Sequence, residues 1–361
     1  MGNKIKVIVI DDSAFMRKSL SLMLESDEEI QVIATARDGE EGYKLVKNLK
    51  PDLVTLDIEM PKMDGLTALQ IIMKDSPTPV IMVSSLTTEG AEATIKALEN
   101  GAVDFIPKEL SYTNVNIIKI KEELIRKVKE IVRQSSLNER IRRLIGWRTA
   151  LNEKGKQAEI KTIPVSGHLP KIGYKAICLG ISTGGPMSLQ KVIPNLENKI
   201  SCPIFIVQHM PPKFTKSLAD RLNGMSSIGV REAENNEKPK NGVIYVAPGG
   251  FHMILKENGK EGPRISISEE PNTTLHRPSV DVMINSVVDV YGKYAMGIIM
   301  TGMGKDGLEG IKKIKSLGGY CLVQNEESCI VYGMPRSVVE AGLADVVVPL
   351  ENIAETINNA F

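Results

Sequence analysis

Aromatic side chains are scarce in this sequence of 361 residues: they make up 4% of it, with Trp147 as the single tryptophan. Base-stacking platforms of the kind that single-stranded nucleic acid needs are therefore few. The four cysteines, Cys178, Cys202, Cys321 and Cys329, show no metal-ligand spacing. Cys178 and Cys202 fall inside predicted strands, where reduced core thiols are expected. No apolar run nears the ~20 residues of a membrane span, and Met1-Gly-Asn-Lys4 leads into a strand rather than a secretory signal. None of the four histidines is paired in an H-x-x-x-H spacing, which leaves a metal hydrolase built from His209, His252 and Asp306 without support. These absences point to the cytoplasm, with no direct membrane insertion.

Charge is balanced overall, at a formal +1, but is unevenly spread. Residues 1–124 hold 14 Lys+Arg against 21 Asp+Glu, or −7. Residues 125–175 hold 13 against 4, or +9, and the remainder holds 18 against 19, or −1. An acidic domain, a basic connector and a neutral domain follow from this division, with expected limits of 1–124, 125–172 and 173–361. The length suits two ordinary domains. The connector contains a basic amphipathic piece, Arg140–Arg148, followed by Lys, Gly, Pro and Ser of linker composition in which His168 falls. With no interleaved aromatics beyond Trp147 and no helix-turn-helix after it, nucleic acid is not an expected partner.

Residues 1–124 alternate strand and helix patterns at the spacing of a five-stranded parallel α/β unit. Strands are expected at Ile5–Ile10, Gln31–Ala36, Leu53–Asp57, Val80–Ser84 and Val103–Ile106, with helices such as Ala14–Leu24 and Gly39–Leu49 between them. Ligands in such sheets bind beyond the carboxyl ends of the strands. The polar residues there are Asp11, Asp12, Asp57, Ser84 and Lys108. Three carboxylates at one edge repel one another unless a hard cation sits among them, and Mg²⁺ is the natural choice. In this arrangement residues 4–122 resemble a response-regulator receiver domain, of flavodoxin-like fold. The resemblance implies Asp57 as phosphoacceptor and a histidine kinase as phosphodonor. It also implies Mg²⁺ held by Asp11, Asp12, Asp57 and the backbone carbonyl of Glu59, and Lys108 pairing with the phosphoryl oxygens. Ser84 and Phe105 would be the switch residues that move inward on phosphorylation. Receivers usually carry Lys-Pro at the last strand end; here Glu109 follows Lys108, which removes the proline of the expected cis peptide and leaves the lysine.

The second domain centres on Lys175-Ala-Ile-Cys-Leu-Gly-Ile-Ser-Thr-Gly-Gly-Pro186. A buried strand breaks at Gly180, and Pro186 opens a helical pattern. A hydroxyl on such a turn stands clear of the sheet beside the N–H groups of a helix N-terminus, which suits a nucleophile with an oxyanion site. Gly180-x-Ser182-x-Gly184 fits a nucleophile elbow, whereas as a dinucleotide fingerprint it fails at Ser182. Further strands are expected at Pro203–Val207, Val243–Ala247, Met253–Leu255, Arg264–Ser268, Ala295–Met300, Tyr320–Val323 and Asp345–Val348. Helices are expected at Pro212–Leu222, Ser279–Val290, Leu308–Leu317 and Ser337–Ala341. Together they form a doubly wound, mixed but mostly parallel sheet. Ser182, His209 and Asp306 each follow a strand of this sheet and can converge. A serine needs a base, and the imidazole needs a carboxylate to fix its tautomer. The order Ser…His…Asp differs from the Ser…Asp…His of α/β-hydrolases. His252 and His276 can line the same crevice and are expected to be structural or substrate-side groups.

Four motifs carry a second resemblance: Gly180-Ile-Ser-Thr-Gly-Gly185, Gln208-His-Met-Pro-Pro212, Arg277-Pro-Ser-Val-Asp281 and Thr301-Gly-Met-Gly-Lys-Asp-Gly307. Residues 175–361 are similar to the catalytic domain of the CheB family of chemotaxis methylesterases. The resemblance implies hydrolysis of glutamate methyl esters on chemoreceptor helices, with release of methanol, and deamidation of receptor glutamines. It implies Ser182 as nucleophile, His209 as base and Asp306 as its orienting carboxylate. Backbone N–H groups of Thr183 and Met303 would stabilise the oxyanion, and no cofactor is implied for the esterase chemistry. Receiver, linker and esterase in this order further imply that the unphosphorylated receiver covers the Ser182 crevice. The alternative is a response regulator whose output domain only binds.

Overall fold

In a computed structural model the chain is described over residues 4–108, 114–133 and 168–361. It divides into two compact units, residues 1–159 and 160–361. The basic piece Arg140–Arg148 with Trp147, and most of the expected linker, lie outside the described residues, as does Glu109 after Lys108. His168 is exposed.

The first unit runs β1 (Ile5–Ile10), α1 (Ala14–Glu25), β2 (Ile30–Ala36), α2 (Gly39–Leu49), β3 (Leu53–Asp57), α3 (Gly65–Asp75), β4 (Val80–Ser84), α4 (Thr88–Glu99), β5 (Asp104–Pro107) and α5 (Asn114–Arg133). Its five strands pair in parallel in the order β2-β1-β3-β4-β5. β1, β3 and β4 are apolar and almost wholly buried, as strands covered by helices on both faces must be. Side chains placed at the helix starts set the helix limits: Ser13, Asp38, Asp64 and Thr87 each accept a backbone N–H from the first turn. The order of strands reverses between β1 and β3, so the loops after those two strands open a crevice where Asp11, Asp12 and Asp57 lie.

The second unit runs β6 (Ala176–Ile181), α6 (Gly185–Val192), β7 (Ile204–Gln208), α7 (Phe214–Asn223), β8 (Gly229–Glu232), β9 (Val243–Val246), β10 (His252–Lys256), β11 (Arg264–Ser268), α8 (Val280–Tyr291), β12 (Ala295–Ile299), α9 (Leu308–Ser316), β13 (Tyr320–Gln324), α10 (Met334–Glu340), β14 (Val346–Val348) and α11 (Leu350–Asn359). Seven strands form one sheet in the order β14-β13-β12-β6-β7-β9-β8, and every pairing in it is parallel. The antiparallel component expected within this sheet is a separate two-stranded sheet, β10 with β11. Here β8 and α11 add to the elements read from sequence. β8 is a four-residue edge strand that interrupts no apolar pattern.

The core gathers Phe205 and Tyr245, stacked at 5.9 Å between centroids, with Met283, Ile284 and Val287 of α8 and Ile311 and Ile314 of α9. All four cysteines are buried and none is in a disulfide, and burial raises the thiols of Cys178, Cys202 and Cys321 well above their ordinary range. No helix among the described residues is long and apolar enough to cross a membrane. The sheet order runs outward in both directions from β6. The turn holding Ser182 therefore sits at the switch point, with the loops after β7 and β12 on its two sides.

Candidate functional site

In the first unit, carboxylate oxygens of Asp11, Asp12 and Asp57 lie within 4.8 Å of one another. Lys108 reaches across from the end of β5, its Nζ 2.5 Å from Asp57 Oδ2 and 3.4 Å from Asp11 Oδ2. The longer contact is an ion pair without a hydrogen bond, and Asp11 Oδ2 has no hydrogen-bond partner despite its burial. Burial, the largest effect, and the neighbouring Asp11 lift the Asp57 carboxyl to about 6, against the pull of Lys108. Asp11 is likewise raised by its burial. A buried acidic pair with one lysine and an unsatisfied oxygen is a cradle short of positive charge, and the hard oxygen donors fit Mg²⁺.

The Ser84 hydroxyl faces the other way. It lies 3.1 Å from the Gly90 carbonyl and accepts from Thr94 Oγ1 at 2.7 Å, both on α4. Phe105 is buried, and Lys127 donates to its carbonyl at 2.8 Å. Glu59 enters the site through its N–H, which donates to Asp57 Oδ1 at 3.3 Å.

In the second unit three loops meet at one sheet edge. Ser182 N–H donates to the Thr301 carbonyl at 2.9 Å, and His209 N–H donates to the Ile181 carbonyl at 3.2 Å. The close approach behind the serine depends on Gly302, since a Cβ there would stand 2.8 Å from the Ser182 Cβ. His209 Nε2 lies 2.8 Å from Asp306 Oδ2, with both side chains about nine-tenths buried or close to it. His209 Nδ1 is buried and has no hydrogen-bond partner, and no hydrogen bond joins the Ser182 hydroxyl to the ring. With Nε2–H donating to the carboxylate, Nδ1 carries the lone pair. The ring is thus used in the opposite sense to the chymotrypsin arrangement, where Nδ1 faces the carboxylate. The His276 ring stacks on His209 at 4.2 Å between centroids and covers one face of its ring.

Asp306 is held by the start of α8. Its Oδ1 accepts from Ser279 Oγ at 2.9 Å and from Asp281 N–H at 3.0 Å, and its Oδ2 accepts from Val280 N–H at 2.8 Å as well as facing His209. Burial alone would raise this carboxyl. The His209 contact and the two backbone donors outweigh burial and hold it well below the usual carboxylate range. Asp281 goes the other way: burial and the adjoining Asp306 charge lift it to about 6, although it accepts from Gly310 N–H at 2.7 Å.

His252 is fully buried, and its hydrogen bonds go to other partners than Ser182, His209 and Asp306. Its Nδ1 accepts from Ser279 N–H at 3.2 Å and its Nε2 faces the Pro271 carbonyl at 3.1 Å, so it braces the loop that presents Ser279 to Asp306. Burial pulls its pKa below the ordinary histidine value. Thr183 and Met303 are buried and lie in the two turns beside Ser182. Thr301 Oγ1 donates to the Thr183 carbonyl at 2.9 Å and accepts from Ile330 and Val331 N–H groups at 3.1 and 3.0 Å. Ser279, Thr301 and Gln208, which touch Asp306, Thr183 and Ser182, carry no signal in the sequence, because a buried hydroxyl or amide shows its contacts only when remote loops meet it.

Comparison with known proteins covers both units. Residues 177–357 match the CheB methylesterase family and residues 7–118 the response regulator receiver domain. The chain is 48% identical to the protein-glutamate methylesterase/protein-glutamine glutaminase of Lawsonia intracellularis over 358 residues, 99% of each chain. It is 45% identical to the protein of the same name from Pyrococcus horikoshii, covering 100% of this chain and 94% of that one. A crystal structure of the Thermotoga maritima CheB methylesterase catalytic domain aligns at a TM-score of 0.51 and 42% identity, covering 53% of this chain and all of that one.

Proposed function

From the premise that the chain belongs to the CheB methylesterase family, we infer that it is a receiver-regulated protein-glutamate methylesterase and protein-glutamine glutaminase serving chemotactic adaptation. The observation that carries the activity is likeness over 99% of the chain to relatives of that name. The substrates are γ-glutamyl methyl esters on cytoplasmic helices of chemoreceptors, and the enzyme acts in the cytoplasm.

The residues assigned to the chemistry are supported by the meeting of three loops at the β6 switch point. Ser182 Oγ attacks the ester carbonyl while His209 Nδ1 takes its proton, and Asp306 holds Nε2–H and balances the imidazolium charge. Thr183 and Met303 N–H groups receive the oxyanion. His209 then returns the proton to the departing methoxide, releasing methanol and leaving an acyl-serine that water hydrolyses by the same proton path. With a glutamine substrate the leaving group is ammonia.

In the receiver, the Asp57 carboxylate attacks the phosphoryl group on the phosphohistidine of a histidine kinase, forming an acyl phosphate as the P–N bond breaks and the kinase imidazole leaves. Asp11, Asp12, Asp57 and the Glu59 carbonyl would hold Mg²⁺, which when bound neutralises charge on the phosphoryl oxygens. Lys108, now paired with Asp57, would pass to those oxygens. Ser84 would have to leave Thr94 and Gly90 to reach them, and this supports a switch with two discrete hydroxyl positions. The cradle makes a pH prediction. A proton competes with the metal for Asp57 as pH falls through about 6. Saturating Mg²⁺ should therefore raise the melting temperature of the first unit clearly at pH 8 and much less at pH 5. Equal shifts at the two pH values would contradict the carboxylate cradle.

Regulation follows from covering and release. The unphosphorylated receiver restricts access to Ser182, and phosphorylation of Asp57 weakens that restriction by a bias of a few kcal/mol. A fragment of residues 173–361 should outpace the unphosphorylated whole protein on receptor membranes, and equal or lower activity would count against inhibition.

A further inference from the structure

We propose that Gln208 is a positioning residue for the oxyanion donor: its side-chain amide holds the Ser182–Thr183 peptide so that the Thr183 N–H faces the reacting carbonyl oxygen. The proposal rests on the serine-esterase reading above and adds a residue to it. Gln208 ends β7 immediately before His209 and is 2% exposed. Its Nε2 donates to the Ser182 carbonyl at 3.1 Å and to the His209 carbonyl at 3.2 Å. The Ser182 carbonyl also accepts from Gly185 N–H at 2.7 Å.

That carbonyl belongs to the same planar trans peptide as the Thr183 N–H, so its oxygen and the amide hydrogen point in opposite directions. Two donors on the oxygen fix the rotation of the plane and with it the aim of the N–H. The next peptide is fixed as well, by Thr301 Oγ1 on the Thr183 carbonyl. A donor held before the reaction stabilises developing charge without reorganising, which is the condition for a large electrostatic effect.

The cost of this arrangement is visible in the same side chain. Gln208 Oε1 is buried without a hydrogen-bond partner, which is unfavourable, and an apolar side chain of equal length would avoid it. The oxygen occupies the space where a Cβ on residue 185 would stand, 1.8 Å away, so a side chain there would push the amide out of this position. The two donated hydrogen bonds are what the amide supplies in return. One dipeptide, Gln208-His209, then sets both the general base and the oxyanion donor.

The test compares wild type, Gln208→Met and Ser182→Ala in the full-length protein. It measures methanol release from methylated receptor membranes and binding of phenylboronic acid. The boronic acid forms a tetrahedral adduct when the Ser182 oxygen bonds to boron and its proton passes to His209. Gln208→Met keeps the length and removes both donors, while the Ser182 carbonyl keeps its Gly185 partner. We expect kcat to fall by about 10- to 100-fold, since a donor is misaimed rather than lost, with KM within about twofold and boronate affinity reduced by a factor similar to that of kcat/KM. A merely structural role would lower the melting temperature and the active fraction without weakening the adduct. Unchanged kcat, a rise in KM alone, or a fall in kcat with unchanged boronate affinity would each overturn the proposal. If Gln208→Met does not fold, Gln208→Asn, one methylene too short to reach both carbonyls, takes the same measurements. Wild-type turnover that does not need Ser182 would instead sink the serine-esterase reading on which the proposal stands.

Discussion

Replacing Ser182 with alanine is expected to lower kcat for methyl-ester hydrolysis by about 10⁴-fold or more, because the acyl intermediate can no longer form. What remains should be the modest acceleration supplied by binding and the oxyanion donors. The fold should not register the change. No hydrogen bond joins the Ser182 hydroxyl to His209, and the strand just before it is held by backbone pairing to β7 and β12. Stability within about 0.5 kcal/mol of wild type is therefore expected. Receptor binding measured by pull-down should be retained. An alanine variant that still turns over at a tenth of the wild-type rate would remove serine from the mechanism.

Asp306→Asn is expected to cost both activity and stability, and the hydrogen bonds show why the usual isosteric exchange is harsh here. Each carboxylate oxygen accepts a backbone N–H, Oδ1 from Asp281 and Oδ2 from Val280. An asparagine must present its NH₂ group to one of these donors, whichever way it is flipped. One backbone N–H at the start of α8 then loses its acceptor, at a cost of about 1–3 kcal/mol. The NH₂ facing His209 would also reverse the ring tautomer and take the lone pair from Nδ1. A fall in kcat of about 10³- to 10⁴-fold follows from comparable losses of the orienting carboxylate, together with a lowered melting temperature. The alternative flip preserves the His209 contact but sets the NH₂ against Asp281, so no flip is free of loss. Loss of activity with an unchanged melting temperature would contradict this account of how Asp306 is held.

Both losses trace to geometry that the sequence could only partly reveal. The α/β class, the five receiver strands and the strand ends bearing Asp57, Ser182 and His209 were readable because apolar strand patterns stop where polar residues begin. β1, β3 and β4 have the expected limits. The sheet composition was harder. The hairpin of β10 and β11 follows β9 without any signal that it leaves the sheet, and pairing partners are a tertiary property. The edge strand β8 escaped because Gly229-Val-Arg-Glu232 has too few apolar residues to alternate visibly.

In the site, motif membership pointed to Ser182, His209 and Asp306, but not to which ring nitrogen meets the carboxylate. That depends on where α8 begins, since Ser279, Val280 and Asp281 pin Asp306 and so decide which edge of the imidazole it meets. Nor did sequence separate the histidines. His252 and His276 both follow glycine- or leucine-containing loops, yet one is a buried brace for Ser279 and the other stacks on His209.

Release of labelled methanol from methylated receptor membranes tests the central claim most directly. Wild type is compared with Ser182→Ala and Asp57→Ala, each with and without a small-molecule phosphodonor and Mg²⁺. The account predicts release that needs Ser182 and rises with phosphodonor only when Asp57 is present. Release that ignores the phosphodonor in wild type would contradict the receiver switch, and no methanol from wild type under any condition would contradict the esterase itself.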